Sequence, residues 1–466
     1  MDPTNLSPAM KQYYELKQQH RDSIIMFRMG DFYEMFYEDA EICARELEIT
    51  LTSRGKGERR APLAGIPYHA LEPYLVKLVK KGHKVAICEQ LEDPKQAKGL
   101  VKRGIVRIVT PGTLVEQLSN QNNYIMSLFV YGDKEYSAVC DISTGEFYVT
   151  EGSDISQVEE CVIPSSLLVN KNIVEELKKK GLFISEVEDR YFSLDYAYKM
   201  LIDHFKVLSL DGFGLQRGDL RLRAAGALLA YLRDTQMNAL SHIKRIGVIQ
   251  QRDSMVLDQT AVRNLELLKN VREGTSRGSL ISIIDKTQTA MGARLLRKWM
   301  TQPLVNVDAI NVRLDRVEYL VKNLLKREDL KKILKKIGDL ERLIGRVNFG
   351  SANAKDLLYL KHSLKYTQLI NLEKFGELAL FEGFQELITI IDNSIREDAS
   401  VSIKEGGIIN LTYDEQLNEL HSIRKNSRQF LSALEKKERQ RTSIQNLRIG
   451  YNKVFGYYFE VSKGNL

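Results

Sequence analysis

The chain has 466 residues, of which 43% are apolar and 28% are charged, a composition typical of folded globular proteins and not of disordered ones. At roughly 100–200 residues per domain, this length predicts about three or four domains. The 68 lysines and arginines exceed the 61 acidic residues by a formal charge of +7, which is too mild to establish a polyanionic partner by itself.

The first region of the chain combines helical and strand signals. Ser7 and Pro8 suit the N-cap and the first position of a helix that would run to about His20. Further along, apolar runs and helical spacing alternate over residues 24–27, 38–48, 83–91 and 105–113. These signals predict a small mixed α/β domain over residues 1–115.

The sequence pattern changes after residues 116–123, a polar stretch without periodicity that we interpret as a linker. Three short strand patterns follow, separated by Gly-Asp and Ser-Thr-Gly turns. Asn172 and Glu175 form a predicted capping pair for a helix that ends at Gly181, and a strand and a closing helix come after it. This order predicts a ribonuclease-H-like domain over residues 124–240.

The remainder is almost wholly helical, which predicts a third, all-α domain over residues 241–440. Its last helix has a capping box at Thr412 and Glu415 and keeps helical spacing as far as about Ser443. At 1.5 Å per residue, that helix would be about 45–50 Å long and could serve as a lever. Residues 441–466 change to a period of two, which predicts a β-hairpin.

Features that would indicate a membrane protein, a secreted protein or an enzyme are weak. The four cysteines lack a CxxC spacing, so we expect reduced, buried thiols, and no apolar run approaches the roughly 20 residues of a membrane span. Asp133 lies in a predicted turn and only Asp141 stands at the end of a predicted strand, so the ordinary interpretation is a solvated turn carboxylate and not a two-metal site. Residues 345–350 have the glycine spacing of a phosphate-binding loop without its lysine. We therefore predict no catalytic residue and no metal site.

The stretch FRMGDFYEMFYEDA, residues 27–40, places aromatic rings beside acidic residues directly after a Gly-Asp turn. If Phe32 begins a strand, alternation puts Phe32, Glu34 and Phe36 on one face and the intervening residues on the other. A ring and a carboxylate would then project together. For an isolated Phe-x-Glu the ordinary interpretation is a core ring beside a solvated acid, so the context of the motif decides.

That context resembles the mismatch-recognition motif of the MutS family of DNA mismatch-repair proteins, whose Phe-x-Glu follows the same Gly-Asp. Other segments resemble the family in the family's order: LAGIPYHA (63–70), AICEQLEDP (86–94), VRIVTPGT (106–113), DISTGEF (141–147), LDQTAVRNLEL (257–267) and DKTQTAMGARLLRKWMTQPL (285–304). Together they cover essentially the whole chain. The resemblance implies that Phe32 stacks on a mispaired base from the minor groove while Glu34 hydrogen-bonds that base.

The resemblance also implies contacts to the DNA backbone. We predict phosphate contacts from five basic residues: Arg54, Lys56, Arg60, Lys102 and Arg107. Each basic stretch could also be an ordinary solvated face. The terminal hairpin resembles the start of the family's clamp, and Asn452 and Lys453 at its tip would meet phosphates unless they form an ordinary turn.

By the same resemblance, residues 124–240 correspond to the family's connector domain, residues 241–440 to its helical lever, and residues 441–466 to the beginning of its clamp. Complete members continue into an ATPase domain. We therefore expect a fragment that is no enzyme by itself, with ATP and Mg²⁺ bound only in the missing part. The implied partners are double-stranded DNA with mismatches or small loops, a second copy in the full-length family, and a MutL-type repair protein on the connector domain, in a bacterial cytoplasm and near the nucleoid.

One alternative remains open, in which the chain is a connector and lever scaffold that docks repair partners without touching DNA. Its association with DNA would then depend only weakly on salt. A recombination branch of the family is disfavoured by the pair Phe32 and Glu34, and a nuclease is disfavoured by the missing acids.

Overall fold

A computed structural model describes residues 6–55, 60–92, 99–115, 120–153, 157–237, 240–249, 254–255, 257–372, 383–454 and 456–465. The chain divides into two compact units, Met1–Ala352 and Asn353–Leu466. Their boundary falls inside the helical region that the sequence assigns to a single domain, residues 241–440. The first unit contains both α/β domains and the helices that follow them.

The first domain is a mixed six-stranded sheet with three helices. Its elements are α1 (Pro8–Gln19), β1 (Ser23–Met29), β2 (Phe32–Phe36), α2 (Tyr37–Leu47), β3 (Thr52–Arg54), β4 (Ala61–Pro67), α3 (Leu71–Lys80), β5 (Lys84–Gln90) and β6 (Arg103–Val109). The strand order is β3-β4-β2-β1-β5-β6, with β1 and β5 parallel and the other pairs antiparallel. The predicted mixed α/β fold of this region is confirmed.

The two faces of this sheet carry different cores. Tyr33 and Met35 lie in the core that α2 and α3 cover, whereas Phe27 and Phe36 pack against Tyr13 of α1 on the opposite face. The alternation predicted for β2 is therefore present. Successive side chains of this short strand are buried in two separate cores. This burial fixes the face on which each side chain of the motif lies.

The second domain also has a six-stranded sheet. Its elements are β7 (Tyr124–Tyr131), β8 (Lys134–Asp141), β9 (Glu146–Glu151), β10 (Val158–Pro164), α4 (Lys171–Lys179), β11 (Phe183–Val187), α5 (Leu194–Phe205), α6 (Arg221–Gln236) and β12 (Gly247–Val248). β7, β8 and β9 are antiparallel, and β10 and β11 continue the sheet in parallel beyond β7. This arrangement agrees with the expected ribonuclease-H-like layout.

Two details of the second domain differ from the sequence prediction. The sequence pattern does not predict β10, although four of its apolar residues are buried next to the central strand β7. The helix α4 is capped by Asn170, whose side chain accepts a hydrogen bond from the Ile173 amide at 3.4 Å, and not by the predicted Asn172. Asn172 lies inside the first turn instead.

Six helices in the described part of the chain complete the first unit. They are α7 (Gln259–Asn264), α8 (Leu280–Ile284), α9 (Ala290–Thr301), α10 (Val307–Lys322), α11 (Leu324–Leu334) and α12 (Leu340–Asn348). Among them, α9 and α12 contact the second domain. Arg342 of α12 donates to the Gln121 carbonyl at 2.5 Å and to the Ser143 hydroxyl at 3.2 Å. α12 is thereby joined to the second domain by a buried guanidinium.

The second unit contains four helices and a hairpin among its described residues: α13 (Ala354–Leu372), α14 (Gln385–Ser394), α15 (Glu415–Lys425), α16 (Ser427–Thr442), β13 (Arg448–Asn452) and β14 (Gly456–Glu460). The predicted single long helix is wrong, because Asn426 leaves helical geometry (φ −109°, ψ 31°) and separates α15 from α16. Asp414, and not Thr412, caps α15 by accepting from the Leu417 amide at 2.7 Å.

The four cysteines are free and buried, in agreement with the sequence prediction. Burial raises the pKa of Cys43 to about 12 and that of Cys88 to about 12, so neither is a thiolate at neutral pH. Among the described residues, no helix is long and apolar enough to span a membrane.

Candidate nucleic-acid interface

A tight hairpin turn places the aromatic residue of the motif. Gly30 and Asp31 connect β1 to β2, and Gly30 has φ +60°, a conformation that side chains disfavour and glycine adopts freely. The amide of Tyr68 donates to the Asp31 carbonyl at 2.9 Å and fixes the turn to the end of β4. Phe32 is the first residue after this turn, between Met29 and Pro67 of the neighbouring strands.

The ring of Phe32 is exposed, although its strand is otherwise largely buried. Its exposed fraction is 48%, whereas Phe36 on the same face is fully buried. The ring centroids of Tyr13 and Phe36 are 5.1 Å apart, so α1 covers the Phe36 end of this face. An exposed phenylalanine forgoes part of the roughly 1.5–3 kcal/mol that its burial would contribute, which makes it a ready site for an apolar or stacking partner.

Glu34 lies on the same face of β2 and is held by a cation. Nη1 of Arg54, on β3, is 2.8 Å from the Glu34 carboxylate, and the Glu34 side chain is 21% exposed. Gly65 stands directly opposite Glu34 on β4, so no side chain of β4 shields the carboxylate there. Arg103 on β6 is a second cation near Glu34, and burial lowers the pKa of Arg103. Nothing in the sequence pattern indicates the ion pair between Glu34 and Arg54.

The other predicted phosphate contacts differ in how they are held. Arg60 is exposed and donates through Nε to the Ser53 hydroxyl at 2.9 Å. The Lys102 side chain is exposed, and its backbone amide donates to the Glu92 carboxylate at 2.7 Å. Lys56 lies outside the described residues. Arg54, Arg60 and Lys102 therefore keep charged groups at the surface of the first domain.

Arg107 is placed differently from the surface cations. It is half-buried, its Nε donates to the Gln236 side chain at 3.1 Å, and Nη2 donates to the Thr113 carbonyl at 3.2 Å. Gln236 belongs to α6 of the second domain and in turn donates to the Ile108 carbonyl at 3.3 Å. Arg107 thus joins two domains, a structural role that its position in a basic stretch does not indicate.

A buried carboxylate fastens the same junction. Glu160 of β10 is fully buried and accepts from the Gly112 amide at 2.9 Å, from the Ser185 hydroxyl at 2.6 Å and from the Tyr231 hydroxyl at 2.6 Å. It also accepts from the Thr110 hydroxyl. Burial raises the pKa of Tyr231, so this hydroxyl stays protonated and donates. The turn that ends the first domain is therefore inserted into the second.

The predicted linker, residues 116–123, is described only over residues 120–123. Asn123 donates through Nδ2 to the Pro111 carbonyl at 2.9 Å and to the Leu114 carbonyl at 3.0 Å. Its backbone amide donates to the Asp141 carboxylate at 3.2 Å. This part of the stretch is bonded to both neighbouring domains.

The terminal hairpin carries Asn452 and Lys453, both exposed. The Asn452 side chain accepts from the Val454 amide at 2.7 Å, so it stabilises the turn between β13 and β14. Tyr451 and Tyr457 form a cross-strand ring pair with centroids 4.9 Å apart. Asn452 is partly occupied by the turn, and Lys453 presents its charge to solvent.

The possible catalytic positions have structural roles. Asp133 is exposed in a turn, as expected, whereas Asp141 is not solvated, because it is fully buried and accepts from the Ser143 amide at 2.9 Å and from Asn122 Nδ2 at 3.0 Å. No group of three or more histidine, cysteine and acidic residues in the described ranges could hold a metal ion. Gly345 lies within α12, where a side chain would meet the Ser143 carbonyl at 2.6 Å, so this glycine permits close packing and does not form a phosphate loop.

Comparisons with known proteins agree with this architecture. Family models described as MutS domain I, MutS domain II and MutS domain III match residues 7–118, 123–244 and 260–447. The chain is 44% identical over 493 residues to the DNA mismatch repair protein MutS of Methanococcoides burtonii, covering 99% of this chain and 55% of that protein.

Two other relatives give the same result. The DNA mismatch repair protein MutS of Halothermothrix orenii is 43% identical over 486 residues, which are 99% of this chain and 54% of that protein. That of Alkaliphilus metalliredigens is 44% identical over 488 residues, which are 99% of this chain and 56% of that protein. The chain thus spans about half the length of these relatives. It belongs to the MutS family and corresponds to the family's first three domains.

Proposed function

We propose that this chain binds mismatched double-stranded DNA for mismatch repair, and that Phe32 and Glu34 of the first domain recognise the mispaired base. The observation that carries the proposal is the exposed Phe32 ring on a strand whose other aromatic rings are buried, next to a carboxylate on the same face. The name of the relatives, DNA mismatch repair protein MutS, supports the same function.

Insertion of a ring converts weak base pairing into a binding signal. Wedging Phe32 between bases costs a few kcal/mol of unstacking, and this cost is lowest where pairing is already defective. A mismatch also makes the duplex easier to kink, so deformability contributes to discrimination without any reading of sequence. The two-residue turn and the strand pairing hold Phe32 at a fixed position, so little conformational freedom is lost on insertion.

Glu34 makes a second contribution to discrimination between mismatched and matched duplexes. A carboxylate close to phosphates is unfavourable unless it makes a hydrogen bond with a base, so a regular duplex offers it little compensation. In the free chain Arg54 pairs with Glu34 at 2.8 Å and offsets its charge. We propose that Arg54, Arg60 and Lys102 contact phosphates in the complex and that Lys56, Asn452 and Lys453 add to these contacts.

The longer protein would add the remaining activities. We propose that it contains an ATPase domain that binds ATP and Mg²⁺, that it forms a homodimer, and that a MutL-type protein docks on the connector domain. The support for these proposals is the family match and the greater length of the relatives.

A titration of fluorescently labelled duplexes tests the recognition step. The chain should bind a G·T duplex more tightly than a matched one, and Phe32→Ala should remove most of this preference, worth about 1–3 kcal/mol for a stacked base. Because Phe32 is exposed, the variant should keep the melting temperature of the parent. Tyr131→Ala, which removes an exposed ring from the second domain, is the control and should keep the preference.

Two results would contradict the proposal. Equal affinity for matched and G·T duplexes, unchanged by Phe32→Ala, would remove the recognition role. Weak binding to DNA with a shallow salt dependence would favour the scaffold alternative, because phosphate contacts make affinity fall steeply with salt.

A further inference from the structure

A concave site lies in the first unit, where the second domain meets the helices that follow it. This cavity, of about 500 Å³, is formed by residues 121–122, the start of β10, the turn after α4, α7 with the loop after it, and α9. We call it the junction cavity. It contains neither the strand of Phe32 nor any residue that the proposed function uses, so it calls for a separate explanation.

The lining of the junction cavity is strongly cationic. Four of its residues are basic, Lys180, Arg263, Lys269 and Arg297, and one, Glu159, is acidic. Lys180 is already paired with Glu176 at 3.1 Å. Arg263 and Lys269 have no ion pair within 4.0 Å in the described ranges, although the charge of Lys269 acts on the Glu159 carboxyl, whose pKa burial raises and Lys269 lowers. A concave surface that gathers unpaired charges of one sign focuses their field and attracts counter-ions.

Arg297 adds a more specific feature. Its Nε donates to the Asn120 carbonyl at 3.1 Å, whereas its Nη1 is shielded from solvent and has no hydrogen-bond partner within the described part of the chain. Buried donors are nearly always satisfied, so an unsatisfied one is a place where a water, an ion or a ligand oxygen can accept a hydrogen bond. The acceptor that best suits a guanidinium is a phosphate or carboxylate oxygen.

We propose that the junction cavity binds a small phosphorylated anion of the pyrophosphate class. Its volume lies within the range of small-ligand sites, and two or more unpaired cations favour a ligand with several negative charges. Gln121 and Gln157 also line the cavity and offer side-chain amides to oxygens of the ligand that the cations leave free. A duplex is too broad to enter a cavity of this size, which favours a small molecule as the ligand.

Isothermal titration of the 466-residue chain with sodium pyrophosphate at low ionic strength tests the proposal. We expect one saturable site, weakened by about tenfold in Lys269→Gln and in Arg297→Gln, since each removes a charged donor to the anion. Lys336→Gln removes an exposed lysine that does not line the cavity and should bind like the parent. Lys269 is exposed, so Lys269→Gln keeps the test valid even if Arg297→Gln fails to fold.

Three outcomes would overturn the assignment. The first is the absence of saturable heat, and the second is an equal loss of affinity in Lys336→Gln, which would show a general charge effect. The third is displacement of pyrophosphate by a short matched duplex, which would identify nucleic-acid backbone and not a small molecule as the ligand. Since Phe32→Ala leaves this cavity intact, failure of mismatch recognition and failure of pyrophosphate binding are separately detectable.

Discussion

Phe32 and Phe36 are identical residues on one face of β2, yet one ring is exposed and the other is fully buried. The difference comes from α1, whose Tyr13 packs on Phe27 and Phe36. Aromatic contacts of this kind add to the hydrophobic gain, so the buried rings stabilise the sheet while Phe32 contributes little. The strand can therefore hold Phe32 in position without depending on it for stability.

Gly112 is packed closely against the second domain at the junction of the first two domains. A Cβ at this position would lie 2.7 Å from the Glu160 Cβ and 2.8 Å from the Ile125 Cβ, distances that require the backbone to move. We expect Gly112→Ala to lower the free energy of unfolding by about 3 kcal/mol, the upper part of the usual range for overpacking. Thermal or urea unfolding measures this change.

A control substitution shows whether the effect of Gly112→Ala comes from close packing or from the replacement of a glycine as such. Gly218 is exposed, and no atom lies within 4 Å of the point that a Cβ would occupy, so Gly218→Ala should change the free energy of unfolding by no more than about 0.5 kcal/mol. If both alanines have the same small effect, the close approach of the turn to Glu160 is not a stabilising feature.

Period-two alternation predicts the faces of β2 from local sequence, because the pleat of a strand imposes it. The partners of those faces are non-local and could not be predicted in the same way. Arg54 reaches Glu34 from a strand that is not adjacent to β2, and Arg107 bonds to Gln236, which lies in the second domain. Basic residues in one stretch therefore have different roles, and only the tertiary structure separates Arg107 from Lys102.

At the scale of elements, most predicted helices and strands are present, and the errors are one helix break, two shifted caps and one missed strand. The break at Asn426 divides a pattern that keeps its helical spacing on both sides, so periodicity alone does not detect it. The caps at Asp414 and Asn170 lie two residues from the predicted ones, because several polar residues near a helix start can serve as the cap. β10 is an exception that periodicity does not detect, because a buried central strand lacks polar alternation.

A buried lysine of α13 forms an ion pair with α14. Lys361 is fully buried and its Nζ contacts Asp392 at 2.9 Å and also Glu397. Hydrogen bonds from Lys361 lower the pKa of both carboxyl groups below their ordinary values of 3.8 and 4.5. Their stabilising contribution is present above those values and is lost as the pH falls through the lowered pKa values.

We therefore expect Lys361→Met to be less stable than the parent by about 1 kcal/mol at pH 7, a modest figure because both carboxylates are largely exposed. The difference should shrink as the pH falls below about 4, where the parent loses the ion pairs. Chemical unfolding at a series of pH values measures it. Lys365→Met, which removes a half-exposed contact to Asp392, should show a smaller difference, and a pH-independent gap in Lys361→Met would contradict this account.

For the molecule as a whole, the net charge of +7 is less informative than where the cations are placed. Three cations of the first domain are exposed and can contact phosphates in place of water: Arg54, Arg60 and Lys102. Arg107 is bonded inside the junction of two domains, and Arg342 joins the second domain to α12. The same residue type therefore supplies both the proposed DNA contacts and the rigid connections behind them.

Removal of an exposed cation and removal of Arg107 should therefore have different effects on DNA binding and on stability. Lys102→Gln should reduce the slope of log affinity against log salt for DNA by about 0.9, the amount expected for one phosphate contact, with an unchanged melting temperature. Arg107→Gln should leave the slope unchanged and lower the stability of the chain, since it breaks the bonds to Gln236 and Thr113. Titrations of a G·T duplex between low and moderate salt, paired with thermal unfolding, measure both quantities. A reduced slope in Arg107→Gln would contradict this account. It would show that Arg107 contacts DNA and that its bonds across the junction open in the complex.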